Sequence, residues 1–280
     1  MTVKTAHRQF GSKARVAAGL AALVPPGTKA WVEVFAGTAA VTLAKPPHPA
    51  EHLNDMNGDI VNLFSVLRDA PSRGRLIEAV ELTPWAEEEF AAAKDRAAVA
   101  DPVERARLFL ISSWQGVGGS QRASAGWRLE RRSGSHISVW RTVPERLASV
   151  GERLRQVYVH QKDAVDIVRR FGDLEDACLF VDPPYPSTSL ATNASQYAVN
   201  MDDSQHAALV EALARIRAKA IVTMNPGTVY EKLAAEHGWR RSIILVRGLR
   251  NSVKEEVVYT NFEPTAEPPL SDDGPATEEP

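Results

Sequence analysis

The chain has 280 residues, 44% of them hydrophobic and 24% charged, with a formal net charge of −2 and a single cysteine, and it is long enough to bury a proper core as one large domain or as a domain with a sizeable insertion. This balance is that of a soluble globular protein and excludes fibrous and membrane classes; the longest apolar stretch, around Val16 to Val24, is too short to span a bilayer, and the first residues lack a basic-apolar-small leader, so residence in the cytoplasm is expected. The lone Cys178 sits inside an apolar run, which rules out a disulfide framework and reads as packing.

In chain order, Phe10-Gly11-Ser12-Lys13 opens an expected amphipathic helix to about Leu23, stopped by Pro25-Pro26-Gly27. It reads either as a capped surface helix or as a place where Lys13 and the helix N-terminal amides meet an anionic group. Ala30 to Phe35 is a strand that turns at once through Ala36-Gly37-Thr38-Ala39 into a helix ending near Ala44. A tight turn of small residues lets backbone approach a nucleotide-bearing cofactor in a Rossmann-like sheet, and one glycine where a dinucleotide fingerprint has three argues against NAD. Glu51-His52-Leu53 forms a second short strand tipped by Asn54-Asp55. An acidic residue there suits ribose hydroxyls, and either residue also suits capping of the helix expected over Gly58 to Arg68.

The alternation of strand and helix then breaks. Trp85 to Arg96 and Val103 to Trp114 read as helices, and Gln115 to Ser120 is a loop leading into an arginine-rich stretch. Eight arginines lie between Arg122 and Arg155, interleaved with Trp127 and Trp140. They fit phosphate contact and base stacking, or a solvated helix face with core tryptophans. The sheet pattern resumes with a strand at Gln156 to Val159, a helix from Asp163 to about Arg170, and the strand Ala177 to Val181 with Asp182-Pro183-Pro184-Tyr185 at its end. A helix over Ser204 to Ala214, capped by Asp202 or Asp203, a strand over Ala220 to Met224 and a helix over Val229 to His237 follow. Ser242 to Val246 and Glu256 to Thr260 close the sheet as an antiparallel pair, because only a short loop joins them. The glycine turn and Asp182 are about twice as far apart as two or three βα units of roughly thirty residues require, so residues 66–155 are expected to be an inserted module. Residues 263–280 carry six carboxylates, repeated prolines and no Lys or Arg, the marks of a disordered acidic tail; the body without it is mildly basic.

Asp182-Pro183-Pro184-Tyr185 stands at a strand's C-terminal end, where open α/β sheets bind ligands. The prolines fix φ and leave carbonyls without local donors, so rigid acceptors lie beside a carboxylate. Such acceptors suit both hydrogens of an aromatic amine, aiming its nitrogen lone pair at a methyl donor while the Tyr185 face stacks on the ring. The plainer reading is a strand followed by a proline turn, with Asp182 capping and Tyr185 packing.

Together these residues resemble the Dam-type and phage DNA adenine-N6 methyltransferases, which use S-adenosylmethionine. Phe10 to Lys13 is similar to that family's aromatic-Gly-Gly-Lys opening, with Ser12 replacing a glycine and Gln9 where some members carry an aromatic. Glu33-Val34-Phe35-Ala36-Gly37-Thr38-Ala39 is similar to its cofactor turn, with Ala39 in place of the second glycine, where an added methyl is expected to crowd the ligand. Asn54-Asp55 matches the ribose-binding pair, Asp163 the position tied to the cofactor's adenine, and Asp182 to Tyr185 the catalytic motif; Tyr197, His206, Tyr230 to Leu233 with Trp239, and Glu255-Glu256-Val257 match more loosely. The resemblance implies a Rossmann-like methyltransferase sheet, mostly parallel with an antiparallel terminal strand. Residues 1–65 and 156–262 would form the catalytic domain and 66–155 a mainly helical target-recognition module.

It further implies S-adenosylmethionine bound by Gln9, Lys13, Glu33, Phe35, Gly37, Asp55, Asp163 and Asp182, with catalysis by Asp182, Pro183, Pro184 and Tyr185. Arg122, Arg128, Arg131 and Arg132 would contact duplex DNA whose target adenine is flipped out, because N6 is otherwise committed to pairing. No metal and no membrane are implied, a monomer is the default, and the setting is the cytoplasm of a bacterial or phage-infected cell, with restriction-modification as one role. Two alternatives stay open: an RNA adenine-N6 methyltransferase, and a catalytically impaired DNA-binding homologue. Asp rather than Ser or Asn before Pro-Pro-Tyr disfavours cytosine-N4 and glutamine-N5 enzymes of this type.

Overall fold

The computed structural model describes residues 3–119, 125–130, 132, 134–186, 199–247 and 253–266. Its sheet has seven strands: β1 (Ala30–Glu33), β2 (Ala50–Asn54), β3 (Val157–His160), β4 (Ala177–Val181), β5 (Lys219–Met224), β6 (Arg240–Arg247) and β7 (Val253–Thr260). Their order is β3-β2-β1-β4-β5-β7-β6. β1 to β5 are mutually parallel, and β7 runs antiparallel between β5 and β6. The expected antiparallel closure is therefore present, with the last strand inserted one place inside the sheet's edge. β4, whose five residues are all buried, occupies the centre as its unbroken apolar run implied.

Alternate residues of the strands feed two layers. Val32, Val34, Leu179, Val181, Val222 and Met224 pack against α9 (Ala164–Phe171), α10 (Asp203–Leu213) and α11 (Glu231–His237). Trp31, Cys178, Phe180, Ile221 and Val258 face α1 (Ala17–Ala22) and α2 (Ala40–Ala44). Burial pushes the Cys178 thiol up to about 12, in keeping with a packing role.

Beyond α2 the same layer continues into helices: α3 (Gly58–Arg68), α4 (Ala70–Glu81), α5 (Glu87–Ala92), α6 (Pro102–Gln115), α7 (Ser135–Trp140) and α8 (Val143–Leu154). Leu43, Leu53 and Val157 of the sheet layer share one apolar cluster with Phe64, Phe109, Leu110, Leu147 and Leu154 of these helices. α8 lies close on α3, since a Cβ at Gly151 would stand 2.7 Å from the Leu67 carbonyl oxygen. Arg153 of α8 reaches back to β2, its Nη1 and Nη2 2.5 and 2.9 Å from the two Glu51 carboxylate oxygens. One arginine of the basic stretch is thus an internal tie, and Trp140 is buried with its indole donating to the Thr83 carbonyl.

Several local readings need correction. The first helix begins at Ala17, not at Phe10, because Gly11 takes a left-handed turn and Lys13 is drawn into the interior. α3 is capped by neither Asn54 nor Asp55 but by Asn57, whose side chain accepts from Asp59 N. Asn54 instead bridges strands, its amide donating to the carbonyls of Val34 and Lys162. The α10 cap is Asp202, one of the two expected residues, in a reciprocal box with Gln205. Among the described residues no helix is long and apolar enough to cross a membrane. Most of the expected tail, residues 267–280, lies outside the described residues.

Candidate active site

In a sheet of this order the connections diverge between β1 and β4, and ligands bind at the carboxyl ends of strands beside such a switch point. Phe35 and Gly37 follow β1, Asp55 follows β2, Asp163 follows β3 and Asp182 follows β4, so the sheet brings these sequence-selected residues to one edge.

On the β1–β2 side, Asp55 braces the glycine turn. Its Oδ2 accepts from Gly37 N at 2.9 Å and its Oδ1 from Asn57 N at 2.8 Å. Burial raises the Asp55 carboxyl above its ordinary range, and those two N–H donors oppose the rise. Gly37 has φ of +48°, and a Cβ there would meet the Gln9 amide at 3.4 Å. Ser12, the residue in place of a family glycine, bonds Thr38 through its hydroxyl at 2.8 Å and ties the N-terminal segment to the same turn. Ala39 holds a left-handed φ of 54°, which explains why glycine suits that place. Its methyl is absorbed into the core.

Glu33 lies beneath this surface. Its fully buried carboxylate accepts from the Thr42 N–H and hydroxyl at 2.5 and 2.6 Å. Asp163 is exposed and caps α9, accepting from Val165 N. Phe35 is half-buried against the layer of α9 to α11.

On the β4 side the charges converge. Lys13 Nζ stands 2.8 Å from Asp182 Oδ1 and 2.9 Å from Glu256 Oε1. The Thr223 hydroxyl donates to the same Asp182 Oδ1 at 2.8 Å, and the Tyr185 hydroxyl donates to Glu256 Oε1 at 2.5 Å. Lys13 also sits over the Tyr185 ring, 5.5 Å from its centre. Burial raises the Asp182 carboxyl above the usual range; the Lys13 ammonium opposes this and the Glu256 carboxylate adds to it. The anionic partner expected for Lys13 is thus a pair of the protein's own carboxylates. Thr223 and Glu256 were not among the sequence-selected site residues. Glu256 entered only through the looser family match Glu255-Glu256-Val257, with no role attached, and Thr223 gave no signal.

Of the four arginines expected at DNA, Arg122 and Arg131 lie outside the described residues. Arg132 is exposed, and Arg128 is half-buried with its carbonyl accepting from the Trp85 indole. Trp127 is half-buried against the helical core, with its indole turned to Gln115. Tyr197 is also outside the described residues.

A parallel sheet with a reversed strand beside its edge, carrying Asp-Pro-Pro-Tyr next to the switch point, defines a Rossmann-like methyltransferase. The chain belongs to the D12 class N6 adenine-specific DNA methyltransferases, whose family model matches residues 10–236. It is a DNA adenine-N6 methyltransferase, and membership implies S-adenosylmethionine as methyl donor and DNA as substrate. No curated protein matches the chain.

Proposed function

We propose that the protein transfers a methyl group from S-adenosylmethionine to N6 of an adenine flipped out of duplex DNA. The observation that carries this reading is the placement of Asp182: both of its partners among the described residues, Lys13 and Thr223, fall on Oδ1. That arrangement leaves Oδ2 for a hydrogen of the substrate amine.

The residues at the sheet edge fit the donor. Asp55 and Asp163 offer carboxylates to ribose and adenine groups, Phe35 an apolar wall, and Gly37 a surface kept free of a side chain beside Gln9. When bound, S-adenosylmethionine supplies a methyl group on a sulfonium. Asp182 accepts one N6 hydrogen, the Pro183 carbonyl accepts the other, and Tyr185 stacks on the flipped ring. Pro184 keeps the loop rigid. The step needs alignment and electrostatic support more than a strong base. Proton loss follows transfer, and Asp182 is the nearest acceptor.

Residues 66–155 serve as the target-recognition module in this reading, with Arg128 and Arg132 contacting phosphates. Asp182→Ala is expected to abolish most turnover while the circular dichroism spectrum stays native; Asp182→Asn keeps a little, because its carbonyl still accepts one hydrogen bond. Methylation by Asp182→Ala at the parent rate in single-turnover assays would overturn the assignment.

A further inference from the structure

We infer that Glu256 is a positioning residue for methyl transfer, setting Tyr185 and Lys13 around Asp182 through one carboxylate oxygen. The inference rests on the reading of Asp182 to Tyr185 as the methylating loop. β7 runs against β5, with Val257 opposite Met224 and Val258 opposite Thr223. This antiparallel course carries Glu256 to the sheet edge where Asp182 ends its own strand, level with the carboxyl end of β5.

There the Glu256 Oε1 atom meets both the Tyr185 hydroxyl, at 2.5 Å, and the Lys13 ammonium, at 2.9 Å. The side chains of Glu256 and Lys13 are only 4% and 6% exposed. Lys13 already has a carboxylate partner in Asp182, so a second buried carboxylate is not required to neutralise it. Among the described residues the cluster thus holds one carboxylate more than its cation, an arrangement that costs stability and is found at functional sites.

The geometry shows what Glu256 does there. Tyr185 leaves the backbone at the end of a proline pair, and its ring orientation depends on two side-chain torsions. A hydrogen bond at the far end of the phenol fixes the plane of the ring and therefore the face it presents to a base. The same oxygen also holds Lys13, fixing the ammonium that takes Asp182 Oδ1 and so the direction of Oδ2. Glu256 acts through these two neighbours and need not touch substrate. The hydroxyl of Tyr185 consequently contributes as well as its stacking face.

The test is a double-mutant cycle on Glu256→Gln and Tyr185→Phe, read in single-turnover methylation of duplex DNA. Gln is isosteric and keeps an acceptor for the hydroxyl and the ammonium, so E256Q is expected to slow methyl transfer about tenfold and E256A about 100-fold, the scale of a small misplacement of reacting groups. KM for DNA and the dissociation constant for S-adenosylmethionine stay at parent values, a split that a merely structural role would not give. Y185F removes the other end of the same bond. It slows transfer by about the same factor as E256Q, and the double variant is no slower than the slower single one.

E256Q at the parent rate, or a double variant whose loss is the product of the two single losses, would overturn the inference. If E256A does not fold, the E256Q and Y185F cycle decides alone. Asp182→Ala in the same assay separates the levels: a dead D182A with E256Q at the parent rate sinks only the role of Glu256, whereas an active D182A sinks the reading of the loop itself.

Discussion

Replacing Glu33 by Gln asks whether this acid acts inside the fold or at the cofactor. The resemblance grouped it with cofactor-binding residues, yet its carboxylate is buried and bonded to Thr42. Burial raises its pKa from the ordinary 4.5 to about 7, with the two Thr42 hydrogen bonds and Lys45 opposing the rise. The folded state therefore holds this proton more tightly than the unfolded chain. The stability contributed is fully present below the unfolded value of 4.5 and is lost as pH rises through about 7.

At about 1.4 kcal/mol per pKa unit, the carboxyl lowers stability by about 3 kcal/mol between acid and mildly alkaline pH. Gln keeps an acceptor for the Thr42 N–H and hydroxyl and has no charge to desolvate. Urea unfolding of both proteins, followed by tryptophan fluorescence across this range, should show E33Q nearly matching the parent at the acid end. At about pH 8 it should exceed the parent by about 3 kcal/mol. A difference between the two proteins that is flat with pH would refute the reasoning, because it would mean that Glu33 does not titrate from a buried state.

Two further outcomes follow from the same site. Asp55→Ala removes the carboxylate bracing Gly37 and offered to the ribose, and should weaken S-adenosylmethionine binding by about 1–3 kcal/mol in calorimetry; unchanged affinity would remove Asp55 from the site. Neutralising Arg128 and Arg132 together should weaken DNA binding and flatten its dependence on salt by about 0.9 in log–log slope for each phosphate that is no longer neutralised. A slope equal to the parent's would return these arginines to a solvated surface.

The sheet was legible because its strands are short apolar runs set off by turn residues. Ala177 to Val181 forms β4, and Gly58 to Arg68 forms α3, at the expected bounds. α4 was missed: it carries Pro71 and Gly74, and only Leu76 and Val80 are fully buried, so its periodicity is faint. The loop Asp182 to Tyr185 was legible because its chemistry is local, two prolines and their neighbours. That Lys13 and Glu256, each noted in the sequence, meet Thr223 around Asp182 was not. Lys13, Thr223 and Glu256 come from three distant segments, and no spacing along the chain encodes that they meet. The start of α1 was misplaced for a related reason, since a long-range pull on Lys13 overrides what the local pattern favours.

The position of β7 has a consequence for synthesis. A nascent chain that has released β4 and the residue after it already carries Lys13, the glycine turn, Asp55, Asp163 and Asp182, the residues proposed to face the methyl donor. Glu256 belongs to the last strand, which must slip between β5 and β6 after both have emerged. Emergence runs at roughly 5–20 residues per second, and non-local strand pairing is slow to form. Until β7 enters, Lys13 and the Tyr185 phenol lack the Glu256 carboxylate that both meet in the folded protein. If Glu256 positions Lys13 and Tyr185 as inferred, the full rate of methyl transfer comes only with this final strand, whose arrival reports that the sheet behind it is complete.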